Sequence, residues 1–231
     1  ESFIVHVLYL HGFASSPASS KAEFLATHFA RYGLTLHCPD LNAPDFSTLT
    51  TTRMITEVRN VLEGLAPAPV VLIGSSLGAF VALHLVEDSR PRDGLTDTVT
   101  HPIERIVLLA PAFNFGSNRM SKLSNEEMIR WRETGWLEMT HHAYGEVRRV
   151  HYELFLDAGS YDSFAVKCEI PILVIQGHGD EVVDPRLAER FANSRPHVSL
   201  VMLNDGHQLK ASLDRLWDEI VVFLGLESTS T

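Results

Sequence analysis

Short stretches rich in apolar and β-branched residues recur at positions 3–10, 34–38, 70–73, 106–109, 172–176 and 198–203, each bounded by glycine, proline or polar residues. Apolar runs of this length read as strands buried on both faces. Between them, residues 17–31, 51–65, 77–87, 185–193 and 208–224 space their apolar positions with helical period. Strands alternating with helices predict an α/β fold: a mostly parallel central sheet with helices on both faces. Local chemistry marks the helix ends. Pro17 after Ser16 suits a first turn, Phe24, Leu25, His28 and Phe29 share a side, and Gly33 is a stop signal. Residues 89–102, polar and broken by Pro and Gly, read as a surface loop, and residues 227–231 as a frayed end.

Residues 113–164 interrupt the alternation. They show no clear strand, and two or three helical pieces rich in Trp, Met, Tyr and His predict a small helical cap. Its first helix is marked by Ser124 and Glu127, which have the spacing of a capping box, and by Gly135 at its close. The chain is therefore expected to form one domain over residues 1–231 carrying this insertion.

Composition narrows the classes of function. At 231 residues and 45% hydrophobic, the chain can bury one substantial core. Its longest apolar runs fall far short of the roughly 20 residues that span a bilayer, so no membrane span is expected. The apolar start runs directly into His11-Gly12 without a basic leader, which favours a strand over a signal peptide and a cytoplasmic location. Cys38 and Cys168 read as free structural thiols. The net charge of −10, with scattered Lys and Arg, argues against nucleic acid as a partner. No His-x-x-x-His or Cys-x-x-Cys spacing occurs, so no metal or other cofactor is expected. Monomer and homodimer both stay open.

The strongest chemical signal follows the third strand. Gly74-Ser75-Ser76-Leu77-Gly78 stands between a strand and a helix, the context a Gly-x-Ser-x-Gly nucleophile needs. A tight turn there lifts the serine oxygen off the sheet edge, and flanking glycines avoid clashes. Ser76 is the expected nucleophile. The amino terminus of the following helix favours negative charge, so the Leu77 amide is one expected oxyanion donor. The Phe13 amide, in the loop Leu10-His11-Gly12-Phe13 after the first strand, is the other. Gly12 is expected to let the backbone approach closely and His11 to brace the loop at the substrate site, while Ser15 or Ser16 is placed to touch substrate.

A serine at ordinary pKa needs a histidine base oriented by a carboxylate. Asp180, at the tip of the Gly-rich loop 177–185, is the expected acid. Asp184 precedes Pro185 and suits a helix cap, and Glu181 competes more weakly. His207, after the next strand, is the expected base, whereas His178 beside the acid is expected to shape the loop.

With these residues the chain resembles the α/β-hydrolase superfamily over nearly its whole length. Tyr9-Leu10-His11-Gly12-Phe13-Ala14-Ser15-Ser16-Pro17 with Lys21, together with Gly74-Ser75-Ser76-Leu77-Gly78, is similar to small bacterial YqiA-like esterases. The insertion and the Asp180 loop also resemble abhydrolase-10-type acyl-protein thioesterases. The resemblance implies the fold and the Ser76, Asp180, His207 triad, hence a serine hydrolase of carboxylic esters or thioesters working through an acyl-enzyme. Acyl transfer or perhydrolysis, carbon-carbon bond hydrolysis, and a non-catalytic binding protein on the same fold are the alternatives. Trp131, Trp136, Met139 and Tyr144 are candidates for the substrate pocket. No cationic cluster stands near the motifs in sequence, so a neutral, modest-sized acyl ester is the expected substrate.

Overall fold

The structure, a computed structural model, describes residues 6–65, 67–88, 103–119 and 123–226. Among the described residues six parallel strands form one sheet: β1 (His6–Leu10), β2 (Leu36–His37), β3 (Val70–Ser75), β4 (Ile103–Leu109), β7 (Ile172–Gly177) and β8 (Val198–Leu203). Their order is β2-β1-β3-β4-β7-β8. Side-chain alternation assigns the two faces. Val7 and Tyr9 of β1 pack with Leu25 and Phe29 of α1 (Ser20–Ala30) and Trp217 and Ile220 of α8 (Leu213–Leu224). Leu8 and Leu10 point the other way. They join Met54 and Val58 of α2 (Thr51–Glu63), Phe80 and Leu83 of α3 (Leu77–Asp88) and Phe191 of α7 (Pro185–Asn193). Each fully buried aliphatic side chain contributes about 1.5–3 kcal/mol relative to exposure, which is why the strands read as continuous apolar runs.

The chain leaves β1 towards β2 at the sheet edge and then returns to β3 on the other side of β1. This reversal opens a crevice beyond the carboxyl ends of β1 and β3, where ligands bind in open parallel sheets. The loops after β7 and β8 reach the same end of the sheet.

Two helix starts differ from the sequence reading. Pro17 lies ahead of α1, whose cap is Ser19, its hydroxyl accepting from the Ala22 amide at 3.3 Å. The last helix begins at Leu213 rather than 208, because Leu209 takes a left-handed conformation (φ 54°) that ends helical geometry there. Among the described residues neither Cys38 nor Cys168 forms a disulfide, and burial pushes the Cys38 thiol up to about 11. The expected loop at 89–102, the frayed end at 227–231 and residues 3–5 lie outside the described residues.

The insertion is mixed rather than purely helical. It contains α4 (Phe115–Arg119), α5 (Asn125–Thr134), an antiparallel hairpin of β5 (Trp136–His141) and β6 (Glu146–His151), and α6 (Glu153–Ala158). In β5, Leu137, Met139 and His141 alternate with the exposed Glu138 and Thr140, a period-two pattern that sits badly on a helix. Helix α5 has the expected ends: Ser124 and Glu127 form the capping box, and Gly135 closes it at φ 79°. Buried Trp131 ties α5 to the hairpin, donating from its indole to the Val150 carbonyl at 3.1 Å. Asp157 of α6 anchors the insertion to α2 by accepting from the Thr52 amide at 2.9 Å.

Candidate active site

At the end of β3 the chain turns sharply into α3, and Ser76 sits at the turn with φ 53°. A non-glycine residue there is strained by about 1–3 kcal/mol, so surrounding contacts must hold it. They do: the Ser76 amide donates to the Leu109 carbonyl at 2.9 Å, and its carbonyl accepts from Ala79, Phe80 and Ala112. Side chains at Gly74 or Gly78 would collide with backbone, at Gly78 and Ala79 for the first and at Leu10 and His11 for the second. Gly12 differs from expectation, because a Cβ there meets Ser76 Cβ only at an ordinary 3.5 Å.

The three residues expected to act together do meet. His207 Nε2 lies 3.0 Å from Ser76 Oγ, and Nδ1 lies 2.8 Å from Asp180 Oδ2. Asp180 Oδ1 accepts the amides of Val182 and Val183 at 2.8 and 2.9 Å, and Gln176 donates to Oδ2 at 2.9 Å. Burial works to raise this carboxyl, but its bonds to His207, Val183 and Gln176, together with the His207 charge, hold it below the usual range. Gly177 lets the Asp180 and His207 loops close on one another, since a Cβ there would strike the carbonyl oxygens of Asp205 and Gly206. The competitors do other work. Asp184 caps α7 through the Arg186 amide, and Glu181 and His178 are exposed.

His11 turns away from the crevice. It is buried, its Nδ1 lies 2.9 Å from the Gly12 carbonyl, and its Nε2 accepts the Leu41 amide at 3.0 Å. Nε2 also lies 3.3 Å from Asp40 Oδ1, a contact that helps hold that carboxyl below its usual range, so the ring braces the loop.

A cavity of about 550 Å³ opens over Ser76. Gly12, Phe13, Ser15 and Ser16 line it, with His207 on one side. Its roof is the hairpin turn, through His142 and Ala143, and the Ala143 amide donates to the Ala14 carbonyl at 3.3 Å. The four aromatic and Met candidates are corrected, because none of Trp131, Trp136, Met139 and Tyr144 lines the cavity. Trp131 is core, Trp136 lies under the Arg149 guanidinium, Met139 packs against the core, and Tyr144 stacks on His141 at the surface.

The sequence reading also assigned no role to two lysines that face this cavity. Lys21 Nζ donates to Ser75 Oγ at 3.0 Å, and Lys210 stands on the His207 loop. Burial pushes the Lys21 ammonium down to about 8, with Asp205 and Asp180 pulling the other way. Burial likewise pushes the neighbouring Tyr9 phenol up to about 12, against hydrogen bonds with Ser75 and Ser19. A lone lysine on the buried stripe of α1 was the available signal. Positions 21 and 210 are too far apart in sequence to read as a cluster, and only the fold unites them.

A family model matches residues 6–225. The chain belongs to the uncharacterised protein family UPF0227. This is the YqiA-like family that the motifs resemble. No curated protein matches this UPF0227 chain. Among solved structures, a protein from Agrobacterium vitis S4 superposes with TM-score 0.83 at 23% identity, over 97% of this chain and 88% of that one. Est1E from Butyrivibrio proteoclasticus, solved with ferulic acid, gives TM-score 0.77 at 16% identity over 95% and 88%. Mouse α/β hydrolase domain-containing protein 10 gives 0.77 at 18% over 97% and 91%. The UPF0227 chain therefore has the α/β-hydrolase fold.

Proposed function

We propose that this protein is a serine hydrolase that cleaves carboxylic esters or thioesters. The carrying observation is the continuous chain Ser76 Oγ, His207, Asp180, with separations of 3.0 and 2.8 Å at a strained strand-to-helix turn. In the first half-reaction Ser76 Oγ attacks the acyl carbonyl while His207 Nε2 takes its proton. Asp180 holds the ring so that Nδ1 keeps its proton, and stabilises the imidazolium that forms.

The tetrahedral oxyanion is held by the amides of Leu77 and Phe13. Leu77 supplies the first amide of α3, which has no carbonyl partner inside its helix, and Phe13 faces the cavity beside Ser76. The intermediate collapses, the C–O or C–S bond breaks, and His207 returns its proton to the departing alcohol or thiol. Water then repeats the sequence on the acyl-enzyme, giving the carboxylic acid and free Ser76. Each proton is accounted for without a cofactor. The α/β-hydrolase fold and the ferulic acid held by Est1E, a carboxylic acid of the kind ester hydrolysis releases, are consistent with this reading.

The test is a fluorophosphonate probe followed by peptide mass spectrometry, with p-nitrophenyl esters of graded acyl length. Labelling at Ser76 and ester turnover, both lost in Ser76→Ala, are the expected results. A folded protein that neither labels nor turns over any ester overturns the proposal.

A further inference from the structure

The lining of the cavity over Ser76 bears on the expectation of a neutral substrate. The whole chain carries a net charge of −10, yet none of the described residues lining this cavity is acidic. Lys21 and Lys210 both face it, and His142 hangs from its roof.

Lys21 occupies an unfavourable position. It is 6% exposed, and among the described residues no carboxylate comes within ion-pair distance of its ammonium, its hydrogen-bond partner being the neutral Ser75 hydroxyl. It also stands in the first turn of α1, where the helix dipole disfavours a cation. A buried, under-compensated cation is unfavourable unless something supplies the missing negative charge. Asp205 and Asp180 lie near enough to favour its charged form, but Asp180 is committed to His207. Two helix starts add to the same field, because Ser19 and Ser20 at the start of α1 and Leu213 at the start of α8 also line the cavity. Helix amino termini and buried cations both attract anions.

We infer that the cavity accepts esters carrying a carboxylate on a short arm, with Lys21 and Lys210 as the residues that read that charge. This rests on the hydrolase reading of Ser76. The arm must be short. Lys21 Nζ is 3.0 Å from Ser75 Oγ, and residues 75 and 76 are adjacent. With consecutive Cα atoms 3.8 Å apart, Nζ lies within about 12 Å of Ser76 Oγ even at full side-chain extension. That separation fits the half-ester of a small dicarboxylic acid.

The experiment compares matched esters by pH-stat: monomethyl adipate against dimethyl adipate for a carboxylate on the acyl arm, and 4-acetoxybutanoate against its methyl ester for one on the alcohol arm. The expected result is a kcat/KM ratio of tenfold or more favouring the anion in at least one pair. That ratio should fall towards one in Lys21→Met and Lys210→Met, and in wild type as salt is raised. Because it is taken within each variant, a general loss of activity does not disguise it. Turnover of the neutral esters with no anionic preference overturns the inference and leaves the hydrolase reading standing. Calorimetric titration of Ser76→Ala with monomethyl adipate and dimethyl adipate separates the two ideas further. Tighter binding of the anionic half-ester that is lost when Lys21→Met is added supports the charge-reading site even if no ester is ever cleaved, and equal binding of both ligands counts against it.

Discussion

Gln176 donates to Asp180 through Nε2 at 2.9 Å, sharing with His207 the same carboxylate oxygen, Oδ2. The amide stands one residue from the end of a strand otherwise filled with Ile, Leu and Val, buried to 1% exposure. With the amides of Val182 and Val183 on Oδ1, it leaves the carboxylate little freedom to rotate.

Removing that support is expected to loosen the acid without unfolding the sheet. A hydrogen bond to a charged group is worth about 1.5–3 kcal/mol, so Gln176→Leu should lower kcat/KM by at least about tenfold. Steady-state kinetics on a p-nitrophenyl ester, with a circular dichroism melt to check folding, measures it. Unchanged kinetics in a folded variant would show that the two amides suffice.

Ser76 illustrates a conflict between chemistry and stability. Its φ of 53° is strained for any side chain, so Ser76→Gly should abolish turnover and raise stability by about 1 kcal/mol. In a chain of this size that is a rise of about 2–4 °C in Tm, readable by calorimetry.

Lys21 should leave a signature in the pH dependence of stability. Its folded pKa of about 8 lies below the ordinary 10.5, so the unfolded chain binds more protons between those values. Stability therefore rises with pH across that window, and the contribution is lost as pH falls through about 8. The full span is about 3 kcal/mol. Urea melts of wild type and Lys21→Met between pH 7 and 10 should differ most at pH 7 and converge upwards. Tyr9, whose phenol is raised to about 12, favours the fold below its ordinary 10 and begins to lose that contribution above it. The comparison is cleanest below pH 10.

The corrected assignment of the insertion aromatics separates two variants. Trp131→Ala removes a fully buried ring and its bond to Val150, and should cost about 3–5 kcal/mol. Trp136→Ala touches a ring covered by Arg149 on the hairpin, away from the cavity, and should leave KM unchanged. Chemical denaturation and ester kinetics on the two proteins check both statements.

These contrasts show what was legible beforehand. Ser76, Asp180 and His207 could be read because each stands at a strand end where local signals coincide: glycines, a helix start, the order of the strands. The central strands β1, β3, β4 and β7 were legible because burial on both faces writes an apolar run, whereas the edge strands β2 and β8 are only partly buried. The hairpin was not, since its Trp, Met, Tyr and His content drew attention from the period-two alternation of Leu137, Met139 and His141. The cavity lining was harder still. Lys21, His142 and Lys210 come from α1, the hairpin turn and the His207 loop, and no local pattern links them. Gln176 carried a weak signal, a polar residue closing an apolar strand, whose meaning depends on which side chain stands next to it.

The hairpin turn meets the crevice through one main-chain bond, from Ala143 to Ala14, and presents His142 and Ala143 as exposed side chains above Ser76. Neither side chain supports the sheet or the His207–Asp180 pair. Exchanging either is therefore expected to cost folding little, altering what the crevice accepts while the strand-end loops that hold Ser76, Asp180 and His207 stay as they are.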